Sequence, residues 1–339
     1  MLSSRRIKEN VTLSDVAMLA DVSVSAVSKA LLGGGGRTTK VSEKTAAKIR
    51  AAAARLGYSP NSAARQLKTG KSRMIGALIH ATAPMVFYDL FARVQKSLAQ
   101  MGYCFVVAQS EGNSELLERN LNEFRSRNAD VIISAFHEYP GQGRLREIYS
   151  MFDNVLYIGK PELDNASYVE ADIKNGIVQL VDYLVAKGAK RIAIDITDRF
   201  YRGVKERIAG YTEGLAKNNI SFDEKMMMEY DGDLNSVSSV IEKIQTLKPD
   251  AIIANNDLRA LRIIKNMKSL NINVPDDVRV TGFDNMEFAA SVSPSLTTMD
   301  LRNDKLADNI IEMIKKFLSE GQFPECAIIK PELITGESA

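Results

Sequence analysis

The residues best placed to do chemistry lie between Thr12 and Leu31, in TLSDVAMLADVSVSAVSKAL. Helical spacing in its second half puts Ala26, Val27, Ala30 and Leu31 on one side and leaves Val24, Ser25, Ser28 and Lys29 on the other. A short helix presenting small polar groups and one lysine suits the major groove of DNA, where base edges are read by such side chains. An ordinary helical hairpin shows the same pattern taken alone; the neighbouring elements distinguish the two.

Other chemistry is thin. With only His80 and His137 in the chain, a Ser-His-Asp arrangement has few ways to form. No G-x-G-x-x-G follows the first apolar run of the body, which leads into His80-Ala81-Thr82-Ala83-Pro84, and there is no G-x-S-x-G elbow. Cys104 and Cys326 have no C-x-x-C partner, so neither a disulfide scaffold nor a zinc site is expected. The run Gly33–Gly36 lacks the Gly-Lys-Ser/Thr ending of a phosphate loop and reads as a flexible connection, with Arg37 and Lys40 placed to touch phosphates. An enzyme is therefore not expected, and neither is a cofactor or a metal.

The reading helix needs elements to hold it. Thr12 followed by Asp15 marks a helix start, with Val16, Ala17 and Leu19 as a small apolar face. Ala20-Asp21-Val22 fits a turn, because Asp tolerates left-handed geometry, and Ser23 caps the second helix. A third helix follows Ser42, with Ala46, Ile49, Ala53 and Leu56 on one side; Gly57 ends it and Pro60 prevents its return. Asn61 to Thr69, NSAARQLKT, is a short helical segment ahead of Gly70.

From Arg73 the pattern alternates. Met74–Ile79, Tyr103–Ala108, Val131–Phe136 and Val155–Gly159 read as strands, separated by helices at about Val86–Met101, Glu115–Arg127 and Arg144–Met151. The alternation repeats with strands at Arg191–Ile196, Met226–Tyr230, Ala251–Asn255 and Val278–Phe283, and helices at about Asn175–Lys187, Val204–Asn218, Ser236–Leu247 and Leu258–Leu270. Two such halves predict two lobes of doubly wound parallel sheet with a crevice between them. Ligands bind beyond the carboxyl ends of such strands. The residues there include His80, Gln109, His137, Lys160, Asp195, Asn255, Asn256 and Asp284, with Asp257 expected to cap the helix that follows it.

Charge divides the 339 residues the same way. Residues 1–70 hold 12 Lys and Arg against 4 Asp and Glu, a net +8. The remainder holds 32 against 38, a net −6, within an overall +2. A basic head on an acidic body suits a phosphate-binding module joined to a sensor. MLSSRRIKEN has no signal-peptide core, and no apolar run approaches the roughly 18–20 residues needed to span a bilayer, so a cytoplasmic protein is expected.

The order TLxDVAxLAxVSxxxVSxAL, VSxxTxxxI and LGYxPNxxAxxLxTG, then an α/β body opening on IGALI, resembles the LacI/GalR family of bacterial transcription regulators. The likeness is strongest over Thr12–Gly76 and Ala251–Thr298. It implies an all-α helix-turn-helix head with a hinge helix on a two-lobed periplasmic-binding-protein-like body. The domains would be 1–58 for DNA binding, 59–72 for the hinge and 73–339 for effector binding and dimerisation. Lobe one would take about 73–170 and 302–326, and lobe two about 171–301 and 327–339. The helix near Asn303–Leu318 would return to lobe one, and a last strand near Ala327–Ile334 would finish lobe two.

For function, the resemblance implies a repressor that binds a pseudo-palindromic operator as a homodimer under a sugar-like effector. Thr12, Ser23, Val24, Ser25, Ser28, Lys29, Asn61, Ala64 and Leu67 would meet DNA, with Leu67 as a minor-groove wedge. Phe87, Arg207, Asn256 and Asp284 would meet the effector. Four departures from the family pattern bear on that ligand: Ala81–Met85 after the first strand, Val86 in place of one aromatic, Gly159-Lys160, and Leu234. They keep open a body that answers to a partner protein.

Overall fold

The computed structural model describes residues 11–32, 41–58, 66–67, 69–110, 113–135, 143–230 and 237–339. Gly33–Gly36, Arg37, Lys40, Asn61, Ala64, Phe136, His137 and Leu234 lie outside the described residues. The chain divides into two compact units, Met1–Met74 with Arg125–Asp130, and Ile75–Phe124 with Val131–Ala339.

The first unit holds α1 (Leu13–Leu19), α2 (Val24–Leu32) and α3 (Glu43–Leu56). Thr12 and Asp15 form a reciprocal capping box: Thr12 N–H donates to Asp15 Oδ2 at 2.8 Å, and Asp15 N–H donates to Thr12 Oγ1 at 3.3 Å. Asp21 takes φ +48°, the left-handed value expected of the turn. Ser23 Oγ accepts from Ala26 N–H at 3.2 Å, and Ser42 Oγ from Thr45 N–H at 3.2 Å. Gly57 closes α3 at φ +67°. Val16, Ala17, Ala20, Val27, Ile49, Ala52 and Ala53 make the core. Leu19, expected inside, is exposed, and Ala20 takes its place. Ala20 stands four residues from Val16 and three from Ala17, so it sits over the middle of the apolar face, while Leu19 lies on its edge.

The second unit contains most of two parallel sheets. The elements run β1 (Met74–His80), α4 (Met85–Gln100), β2 (Cys104–Ser110), α5 (Ser114–Ser126), β3 (Val131–Ser134), α6 (Gly143–Tyr149), β4 (Val155–Ile158) and β5 (Tyr168–Ala171). Then come α7 (Ile173–Ala186), β6 (Ile192–Ile196), α8 (Arg202–Lys217), β7 (Met227–Glu229), α9 (Ser238–Leu247), β8 (Ala251–Ile253), α10 (Asp257–Ser269) and β9 (Arg279–Thr281). The chain closes with β10 (Thr298–Asp300), α11 (Asn303–Glu320), β11 (Cys326–Ile329) and β12 (Glu332–Ile334). Strand order is β11-β5-β4-β3-β1-β2 in one sheet and β7-β6-β8-β9 in the other, with β10 and β12 paired antiparallel.

Helices cover both faces, so the central strands are continuous apolar runs rather than alternating ones. Leu90, Phe91, Val94 and Leu98 of α4 pack with Ile310, Ile311 and Ile314 of α11 over the first sheet. On its other face the ring of Phe124 presses on β1 at Gly76, where an added Cβ would stand 2.7 Å from the ring. The second sheet is covered by α7 and α8 on one side and by α9 and α10 on the other. At Gly210 of α8 an added Cβ would meet the Lys174 carbonyl at 2.4 Å, so only glycine lets these helices approach.

The end of the chain corrects one expectation. The single last strand near 327–334 is two strands, and the first, β11, pairs in parallel with β5 at the edge of the first sheet. Only β12 goes on to β10. Strands β5 and β10, short and half-polar, were not expected at all. No helix among the described residues is long and apolar enough to cross a membrane.

Candidate nucleic-acid interface and inter-lobe site

In the head, the turn at Asp21 and the Ser23 cap fix where α2 begins, and Val24 and Ser25 stand exposed on its first turn. Val24 is 44% exposed. Ser28 and Lys29, expected wholly outward, are half-buried on the flank of the helix. Thr12 is exposed beside the start of α1. The third helix, α3, exposes Lys44, Lys48, Arg50 and Arg55, of which Arg50 pairs with Glu43. Leu67, in the short helical segment after α3, is 90% exposed.

In the body, Arg207 comes from α8 and its guanidinium carbon lies 3.9 Å from the centre of the Phe283 ring. Its Nη1 is buried and has no hydrogen-bond partner. Burial lowers the Arg207 pKa, against the pull of Asp284, Tyr230 and Asp195. Asp284 follows β9 with φ +109°, held there by its N–H donating to Met299 O at 2.9 Å. Burial pushes its carboxyl up to about 8, against the lowering effect of Arg207. Phe87 sits half-buried on α4 against the first core.

The expected cap moves by one residue. Asn256, not Asp257, caps α10: its Oδ1 accepts from Arg259 N–H at 2.9 Å. Asp257 is fully buried and braces the loop after β9, accepting from Thr298 Oγ1 at 2.5 Å and Met286 N–H at 2.6 Å. Burial raises it to about 6. The Asn256 side-chain carbonyl is thus committed to the helix.

A second arginine, Arg259, carries no signal of its own in the sequence. Arg259 is fully buried and donates to both oxygens of the equally buried Asp195, from Nε at 2.8 Å and Nη2 at 3.2 Å. Its guanidinium carbon is 3.8 Å from the Tyr230 ring centre, and Asn255 Nδ2 donates to Tyr230 Oη at 3.0 Å. Burial raises the Asp195 pKa while Arg259 lowers it. The available signal was Asp195 itself, a charge inside the apolar strand RIAIDI that needs a buried cation.

The carboxyl ends of β6, β8 and β9 thus carry a fixed ion pair, an arginine over an aromatic ring with one unpaired donor, and a carboxyl group. Such a set can orient hydroxyls or hold one anion. Two surface cavities, of about 160 and 410 Å³, lie elsewhere, one beside Arg146 and Glu162 and the other between α11 and β11.

Residues 12–61 match the family described as bacterial regulatory proteins, lacI family, and residues 181–339 match the periplasmic binding protein-like domain. The ribose operon repressor of Escherichia coli is 26% identical over 306 residues, covering 89% of this chain and 92% of that protein. The HTH-type transcriptional repressor PurR of Vibrio parahaemolyticus is 26% identical over 330 residues, 95% and 97% of the two chains. The lac repressor dimer bound to operator and the anti-inducer ONPF shares the fold with a TM-score of 0.79 at 24% identity, over 97% of this chain and 99% of that one.

Proposed function

Because the chain belongs to the LacI family of bacterial regulatory proteins, we propose that it represses transcription in the cytoplasm by binding a pseudo-palindromic operator as a homodimer. It is a regulator rather than an enzyme. The observation that carries this is the capped three-helix head, which fixes α2 and leaves its first turn, Val24 and Ser25, exposed on the basic part of the chain. In this reading Val24, Ser25, Ser28 and Lys29 face base edges, while Thr12, Arg37 and Lys40 face phosphates. Asn61, Ala64 and Leu67 enter the minor groove, with Leu67 as the wedge.

The domains are read as 1–58, 59–72 and 73–339, with β11 assigned to lobe one. The body supplies the dimer contact. Met85 and Tyr88 on α4 and Val106 and Val107 on β2 are all exposed, and Gln109 Nε2 donates to Tyr88 Oη at 3.0 Å across the two elements. Exposed apolar side chains grouped at a sheet edge mark an interface.

A small-molecule, sugar-like effector would bind between the lobes, against Phe87 from lobe one and Arg207, Asn256 and Asp284 from lobe two. Contact with both lobes lets it favour one lobe arrangement by its differential affinity. A change in lobe arrangement alters the spacing of the two hinge segments, and a hinge helix this short is marginal alone in water. Gel-shift assays against genomic fragments test the DNA reading. A thermal-shift screen of sugars, nucleosides and phosphates tests the effector; operator binding with no ligand response in that screen would favour control by a partner protein.

A further inference from the structure

We propose that Glu170 and Arg202 form a releasable latch across the crevice that sets how the two lobes are held before any ligand arrives. Glu170 lies in β5 of the first sheet, and Arg202 opens α8, which packs on the second. Arg202 Nη1 donates to Glu170 Oε2 at 2.5 Å and Nη2 donates to Oε1 at 3.4 Å. Both side chains are largely shielded from water, so the pair is screened less than a surface one. The covalent links between the lobes are short segments, at 171–173, 300–303 and 329–332, and the latch adds a non-covalent tie beside the first.

Each partner keeps a second contact inside its own lobe. Glu170 Oε2 accepts from Lys160 N–H at 3.0 Å, and Arg202 pairs with Glu206 one turn along α8. Opening the latch therefore strands neither charge. The Asp195–Arg259 pair is the opposite case: it lies within one lobe, and breaking it leaves a buried ion uncompensated. A tie that breaks without stranding a charge can bias two lobe arrangements reversibly, and a ligand acts against that bias.

The test is the distance between lobes, measured by pulsed electron spin resonance on the full chain. Spin labels go on Arg119→Cys in α5 and Lys268→Cys in α10, both exposed positions, with Cys104→Ser and Cys326→Ser to remove the native thiols. Labelled chains are diluted with unlabelled ones to isolate distances within one chain. Glu170→Gln and Arg202→Gln should each shift or broaden the distance distribution, and the double variant should do no more than the larger single. Distributions unchanged in both singles, or effects that add in the double, would overturn the latch. The measurement needs neither operator nor effector, so failure of the latch and failure of the regulatory reading are separable.

Discussion

The Arg207 guanidinium lies over the Phe283 ring, its central carbon 3.9 Å from the ring centre, while its Nη1 stays buried without a partner. A buried cationic N–H left unpaired is costly, and the cost is relieved when a ligand oxygen accepts from it. Asp284 stands close enough to act on the Arg207 charge, yet no hydrogen bond joins the two. In the proposed effector site, that donor and the nearby carboxyl would hold a third group.

Arg207→Ala should weaken effector binding by about 10- to 100-fold, the worth of a hydrogen bond to a charged group, while effector-free operator binding stays near normal. Calorimetry for the effector and fluorescence anisotropy for the operator read the two separately. A variant that responds like the wild type would remove the crevice as the sensor.

Asp284 gives a pH signature. Its carboxyl titrates near 3.8 when free and about 8 in the folded chain. Between those values the folded state holds a proton that the unfolded chain has released, so stability falls as pH rises from about 4 to about 8. Asp257, raised to about 6, adds a slope of the same sign over a narrower range. Asp284→Asn cannot titrate, so its melting temperature relative to wild type should climb across that window and level off above it. A difference independent of pH would place the Asp284 carboxyl in water.

Removing one partner of the buried Asp195–Arg259 pair should destabilise lobe two strongly, whereas removing both should not. Arg259→Met leaves Asp195 buried and unpaired, at a cost of about 3–5 kcal/mol. Replacing both, as Asp195→Leu with Arg259→Met, should recover much of that loss. Urea unfolding measures each; additive losses in the double variant would mean that the two side chains do not act as a pair.

Leu67→Ala should reduce operator affinity and DNA bending while leaving the fold and non-specific binding intact, because a wedge acts only where base pairs are parted. Fluorescence energy transfer between the ends of an operator duplex reports the bend. Unchanged bending would reduce Leu67 to a packing residue of the hinge.

Local signals in the sequence carried most of the architecture. The Thr12–Asp15 box, the turn at Asp21, the Ser42 cap and Gly57 stand where side-chain chemistry places them. The apolar runs became central strands because burial on both faces leaves no other composition for them. What was illegible depends on contacts between distant residues. Strand β5 alternates half-buried and buried residues over only four positions, too few for a pattern. Strand β11 exposes Cys326 and Ile328, and only its pairing with β5 assigns it to the first sheet. Asn256 and Asp257 are both competent caps, and tertiary demand for a buried acceptor beside Thr298 decides between them. Arg259 reads as a surface residue until Asp195, sixty-four positions away, is seen beside it.

In the proposed reading, two heads meet a two-fold DNA site at once, one from each chain. The direct measurement is the affinity of the full-length protein for a selected operator, for its half-site and for a scrambled duplex, across a range of salt. Selection from random duplexes should return an inverted repeat. The intact site should bind far more tightly than the half-site, and its affinity should fall steeply as salt rises, because the basic heads displace condensed counterions. Equal affinity for intact and half sites, or a binding constant indifferent to salt, would rule out a dimer reading both half-sites through basic heads.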